Sequence, residues 1–149
     1  AWQAARNNYD DHPDHKGAAE FLESLKLAST DIVIAEDSIV QTYYLGKVNY
    51  RLQSIEVAKN NSVLRDGVLY GQYTGTPIIG TGRQLEAVLD LKLPGNIYII
   101  SEAQSSERLS QRNRRDGIAE LLESDRLEVI YIGRDHKTKI WKLRRPRAS

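Results

Sequence analysis

The chain predicts an α/β fold: a three-layer sandwich with a mainly parallel central sheet and a C-terminal antiparallel hairpin. Three observations point to it. Ile32 to Ala35 (IVIA) and Asn96 to Ser101 (NIYIIS) are short β-branched apolar runs, typical of strands buried on both faces of a parallel sheet. Segments with apolar residues at helical spacing separate such runs, and this alternation builds a sheet covered by helices on both sides. Leu127 to Gly133 and Thr138 to Leu143 flank the polar turn RDHK and read as an antiparallel pair.

The elements follow in order. Residues 1–15 (AWQAARNNYDDHPDH) read as a leader or linker, and Asp14 is placed to cap a helix beginning near His15 or Lys16. From Lys16, GAAEFLESLKL sets Ala18, Phe21, Leu22 and Leu25 on one helical face, before Ser29-Thr30-Asp31 ends it. After IVIA, Glu36-Asp37-Ser38 opens a second helix, Ile39 to Leu45, stopped by Gly46. Asn49 to Ile55 is a strand, with Tyr50 and Leu52 alternating inward. Asp66-Gly67 between VLR and VLY predicts a type I′ hairpin. Pro77 to Ile79 is strand-like, and Thr81 caps a helix over GRQLEAVLDLKL. Pro94-Gly95 turns the chain into NIYIIS, and Gly117 to Ser124 forms a further helix. The domain therefore spans 16–143, with a basic tail at 144–149. The C-terminal hairpin is expected to leave a hydrogen-bonding edge open, for instance at Lys139.

Composition narrows the function. With 149 residues, 40% hydrophobic and 28% charged, the chain is a single globular domain rather than a disordered one. Its 21 basic and 20 acidic residues leave a net charge of +1, which argues against a nucleic-acid partner. No run approaches the roughly 18 apolar residues of a membrane span. Without cysteine there are no disulfides, thiol nucleophiles or zinc-thiolate sites. Methionine is absent too, even at position 1, which leads us to expect a cut piece or a processed product.

Candidate site residues lie where the sheet's carboxyl ends are expected, since ligands of such folds bind there. These are Glu36, Asp37, Tyr73, Thr74, Ser101 and Glu102. The competing reading makes Asp37 or Ser38 a helix cap. DDHPDH (Asp10 to His15) has metal-ligand chemistry, but no recognised spacing, and reads as a leader and cap; no metal and no cofactor is assigned. YTGTPIIGTG fits neither common phosphate-loop fingerprint. Ser101 lacks a nucleophile elbow, and His136 sits on a hairpin tip. Arg112, Arg114 and Arg115 precede a helix, against its dipole, which suits an anionic partner or a solvated run. TYYLGKVNYRL (Thr42 to Leu52) holds three of the eight tyrosines. At least one of these rings is expected in the core, with Tyr44 facing the first strand; exposed rings, Tyr43 or Tyr44, would instead serve a partner.

HKGAAEFL, DIVIAED, YYLGKVNYRL, YTGTPII, NIYIIS and VIYIGRDHKTKIWKL follow one another between His15 and Leu143. In these segments the chain resembles the C-terminal extracytoplasmic domain of polytopic bacterial glycosyltransferases of the dolichyl-phosphate-mannose protein mannosyltransferase and aminoarabinose transferase kind. The resemblance implies a polyprenyl-phosphate sugar donor, and catalytic acids in an extracytoplasmic loop near the start of the membrane region, which nothing here matches. No catalytic residue is carried over. It further implies that the domain packs over the membrane-embedded part of the same polypeptide, at the outer face of the cytoplasmic membrane, shaping acceptor access. The alternative from the residues alone is a free-standing ligand-binding protein or enzyme acting on a sugar phosphate or nucleotide. A protein-interaction module is the third reading.

Overall fold

The computed structural model describes residues 14–53, 62–72, 74–102 and 117–145. Tyr73, Arg112, Arg114 and Arg115 lie outside them. Within them the order is α1 (His15–Ser24), β1 (Ile32–Ala35), α2 (Ser38–Leu45), β2 (Tyr50–Leu52), β3 (Ser62–Arg65), β4 (Val68–Gly71) and β5 (Ile78–Ile79). Then come α3 (Gly82–Leu89), β6 (Ile97–Ser101), α4 (Ile118–Leu122), β7 (Leu127–Ile132) and β8 (Lys139–Leu143).

Six strands form one sheet in the order β5-β2-β1-β6-β8-β7, and β3-β4 form a separate hairpin. β5, β2, β1 and β6 are parallel, with Leu52 opposite Ile79 and Ile34 opposite both Tyr50 and Ile99. β8 runs antiparallel to β6, and β7 antiparallel to β8. The predicted sandwich is therefore the observed one.

Period-two alternation sorts the strands' side chains between two cores. Ile32, Ile34, Ile97 and Ile99 pack with Leu85, Val88 and Leu89 of α3 and with Ile118 and Leu122 of α4. Val33, Ala35, Tyr98 and Ile100 pack on the other face with Ala18 and Leu22 of α1 and with Leu45 of α2. The handedness of βαβ crossovers explains why α2 and α3 cover opposite faces. From β1 to β2 the chain steps toward the β5 edge through α2. From β5 to β6 it steps back across β2 and β1 through α3. Crossovers of one hand in opposite directions must use opposite faces, and the direction reverses between β1 and β6.

Several local signals operate as read. The Asp37 side chain caps α2 by accepting from Val40 N, and Gly46 ends that helix at φ 70°. Asp66 and Gly67 both take positive φ, as a type I′ turn requires. Thr81 caps α3 through the Gln84 amide. Other elements differ. α3 stops at Leu89, with Asp90 as its C-cap, rather than reaching Leu93, where Pro94 in any case disfavours helical geometry. The boundary expected at Lys16 leaves out Asp14 and His15, which the structure holds in the fold: Asp14 is only 5% exposed.

The C-terminal strand is not an edge. β8 is enclosed between β6 and β7, so Lys139 pairs on both sides, with Ser101 and Ile132. The open edge is β7, where a bulge between Val129 and Tyr131 interrupts the ladder.

Tyr43 and Tyr44 also correct an expectation, since neither ring enters the core. They are 84% and 38% exposed. The inward stripe of α2 passes through Ser38 and Gln41, both fully buried, and Leu45. At 100° per residue that stripe leaves Tyr43 on the opposite side and Tyr44 on the flank. Tyr50 and Leu52 do face inward, against the core shared with α3.

Candidate site at the carboxyl edge of the sheet

β1 and β6 end side by side where the strand order reverses, the place at which open α/β sheets form a crevice. Four of the predicted site residues sit on these two ends. Glu36 Oε2 accepts from the Glu102 amide at 2.8 Å, and the Glu36 amide donates to Ile100 O at 3.2 Å. Glu36 is buried, and Arg51 Nε donates to its carbonyl at 3.3 Å. Its carboxylate thus clasps the two strand ends together. The Ser101 hydroxyl is engaged as well, accepting from Trp141 Nε1 of β8 at 2.9 Å.

Asp37 and Glu102 converge on a residue not among the predicted site positions. His15, the first residue of α1, places Nδ1 3.0 Å from Glu102 Oε1. One ligand atom from each of His15, Asp37 and Glu102 lies within 4.8 Å of the others. α1 is anchored here by its cap and by Gln41, whose Nε2 donates to His15 O at 3.3 Å. Glu102 beside the imidazole raises the His15 pKa above its ordinary 6.5 against the opposing effect of burial, and Asp37 and Asp135 add to the rise.

The adjacent cap is built with equal density. Asp14 accepts from Gly17 N at 3.1 Å, Tyr131 OH at 2.6 Å and Arg134 N at 3.2 Å. Its own amide donates to Thr138 Oγ1 at 3.1 Å. Burial works against its charge, but the Tyr131 hydroxyl and the Arg134 and Gly17 amides outweigh it and hold the carboxyl below its usual value. Burial and the Asp14 carboxylate push the Tyr131 hydroxyl up to about 12. Asp135 braces the β7–β8 turn through the amide and hydroxyl of Thr138, at 2.9 and 2.6 Å.

Thr74 belongs elsewhere. β5 is parallel to β2, so the turn leading into it lies at the sheet's amino edge, opposite Glu36 and Glu102. There Thr74 Oγ1 accepts from the Thr76 hydroxyl at 2.7 Å and closes its own turn. A groove of about 500 Å³ between the β3-β4 hairpin and β5 is lined by Ser62, Leu64, Val68, Ile78, Gly80 and Gln84. It lies on the β5 side of the sheet and includes none of the clustered acids.

Sequence reading missed His15 as a member of this cluster although DDHPDH drew attention to it. Its partners are remote in sequence, and only the meeting of α1 with the reversal point joins them. Compared with family models, curated proteins and solved structures, the chain finds no match.

Proposed function

We infer that the chain is a non-catalytic extracytoplasmic domain of a membrane glycosyltransferase using a polyprenyl-phosphate sugar donor, seated on the membrane-embedded part of the same polypeptide. The observation that carries this reading is the exposed aromatic pair of the YYLG segment. Tyr43 and Tyr44 meet edge-on, with ring centroids 5.3 Å apart, at the end of α2. That end lies at the sheet's amino edge, because α2 returns the chain from the end of β1 to the start of β2. Leu25 after α1 and Leu91 after α3 occupy the same edge and are 42% and 47% exposed. Apolar groups with amphipathic rings suit a protein or membrane-interface contact better than bulk water. No described helix is long and apolar enough to cross a membrane, so on this reading the spans belong to the rest of the polypeptide.

The joint replacement Tyr43→Ser and Tyr44→Ser tests it. In the full-length protein we expect sugar transfer from a polyprenyl-phosphate donor to fall at least about tenfold, roughly the effect of losing one hot-spot contact. The urea midpoint of the 149-residue chain should barely move, since exposed substitutions stay within about 0.5 kcal/mol. Undiminished transfer by the double variant would remove the main support for the reading.

The polar cluster favours a second reading, a ligand site for a hydroxyl-rich molecule such as a sugar. Asp37 and Glu102 would accept from its hydroxyls, whereas their charge opposes a free phosphate. Saturable NMR shifts at His15 and Asp37 on adding a sugar would support it. Shifts absent, or confined to the β3-β4 groove, would oppose it.

A further inference from the structure

The His15 cluster is more than an ion pair. Glu102 is 9% exposed, yet its Oε1 has no hydrogen-bond partner among the described residues, and neither has His15 Nδ1. The two atoms approach to 3.0 Å without the alignment of a hydrogen bond. The imidazole offsets only part of the desolvation cost of this buried carboxylate oxygen, and a cation shared by the two would offset more. Asp37 spends Oδ1 on the α2 cap, and its second oxygen is uncommitted among the described residues. Ser38 Oγ and Gln41 Oε1, in the first turn of the same helix, are also buried without hydrogen-bond partners among the described residues.

The donor set and its spacing favour one kind of occupant. Ligand atoms about 2.1 Å from a common ion lie roughly 3.0–3.4 Å apart when adjacent and about 4.2 Å apart when opposite. The 3.0 Å His15–Glu102 approach matches an adjacent pair. The three ligand atoms all lie within 4.8 Å of one another, close to the span of opposite ligands. One imidazole nitrogen with two carboxylates suits a first-row divalent ion, whereas calcium and magnesium prefer oxygen alone.

We propose that His15, Asp37 and Glu102 form a binding site for one first-row divalent cation of the zinc or manganese class, joining the start of α1 to the ends of β1 and β6. The site is independent of the accessory-domain reading, because it lies at the opposite edge of the sheet from Tyr43 and Tyr44. It also takes up His15, the histidine of DDHPDH that lies among the described residues.

Isothermal titration of the chelator-treated 149-residue chain with Zn²⁺ at about pH 8, where an ordinary imidazole is neutral, tests the proposal. One ion per chain should bind, with a rise in thermal midpoint. His15→Gln, Asp37→Asn and Glu102→Gln should each weaken binding at least about tenfold, since even outer-sphere partners of a metal site are worth roughly 10- to 100-fold. Asp37 is half-buried, so Asp37→Asn serves where a variant at Glu102 fails to fold. Mn²⁺ should broaden the NMR signals of His15. His12→Gln should change nothing. No saturable binding would overturn the proposal. So would binding that survives Asp37→Asn and Glu102→Gln but is lost with His12→Gln, because the ion would then sit on the leader.

Discussion

Gly95→Ala is expected to lower the stability of the chain by more than about 3 kcal/mol, the range of severe overpacking against fixed atoms. The Pro94-Gly95 turn passes directly over the bend at Thr30 and Asp31, and a β-carbon on Gly95 would fall inside the Thr30 carbonyl. Neither backbone is free to yield. Asp31 Oδ1 accepts from Asn96 N at 2.7 Å, and its Oδ2 accepts from Ala28 N at 2.7 Å. Ile32 N donates to Asn96 O at 2.8 Å, and Lys47 Nζ donates to the carbonyls of Ser29 and Asp31. Relieving the clash means parting β1 from β6 where the central pair begins. Gly75→Ala is the control: φ there is 67° in open space, so only the backbone strain of roughly 1 kcal/mol is expected. Urea unfolding of both variants distinguishes them, and equal midpoints would contradict this account of Gly95.

Asp14→Ala should cost about 3 kcal/mol, because one buried carboxylate caps α1 and also holds Tyr131 and the Arg134 amide. The loss should be coupled. Tyr131→Phe should cost about 1–2 kcal/mol alone and much less in the Asp14→Ala background. Additive losses would show that the 2.6 Å Tyr131–Asp14 hydrogen bond contributes nothing. The pH dependence follows from the same contacts. The folded Asp14 carboxyl sits below its ordinary 3.8, so its contribution is complete above that value and is lost as pH falls through the folded one. Asp135 is lowered too and acts in the same direction. Tyr131 acts oppositely: raised to about 12, it contributes fully below its ordinary 10.0 and loses that contribution as pH rises between the two. Asp14→Asn should therefore flatten the acid limb of the stability curve. An unchanged acid limb would mean that Asp14 titrates alike in the folded and unfolded chain.

What the residues disclose in advance is what short-range physics controls. IVIA and NIYIIS announce buried strands because short β-branched apolar runs favour them, and Asp66-Gly67 announces its turn because both positions need positive φ. Asp37, Gly46 and Thr81 mark helix ends through bonds to neighbours within a turn. Strand order is different, since it rests on which crossover takes which direction. That is why Thr74 seemed to belong with Glu36 and Glu102 although β5 carries it to the opposite edge, and why Lys139 looked like an edge position. Tyr44 misled for another reason. Apolar size suggested burial, but the stripe of α2 that meets the fold is taken by the buried Ser38 and by Gln41, which reaches the start of α1. The candidate site was half legible. Asp37 and Glu102 follow apolar strands and could be placed at their ends, whereas His15 reaches them only through the docking of α1.

The central claim, a domain tethered to a membrane glycosyltransferase, is tested most directly on the native product. An antibody raised against the 149-residue chain should recover a polypeptide far heavier than the 16.9 kDa of this chain. That polypeptide should remain in the membrane fraction after alkaline carbonate washing, with its coding sequence showing many hydrophobic spans before Ala1. A water-soluble product of about this mass, beginning near Ala1 and lacking such spans, would contradict the account.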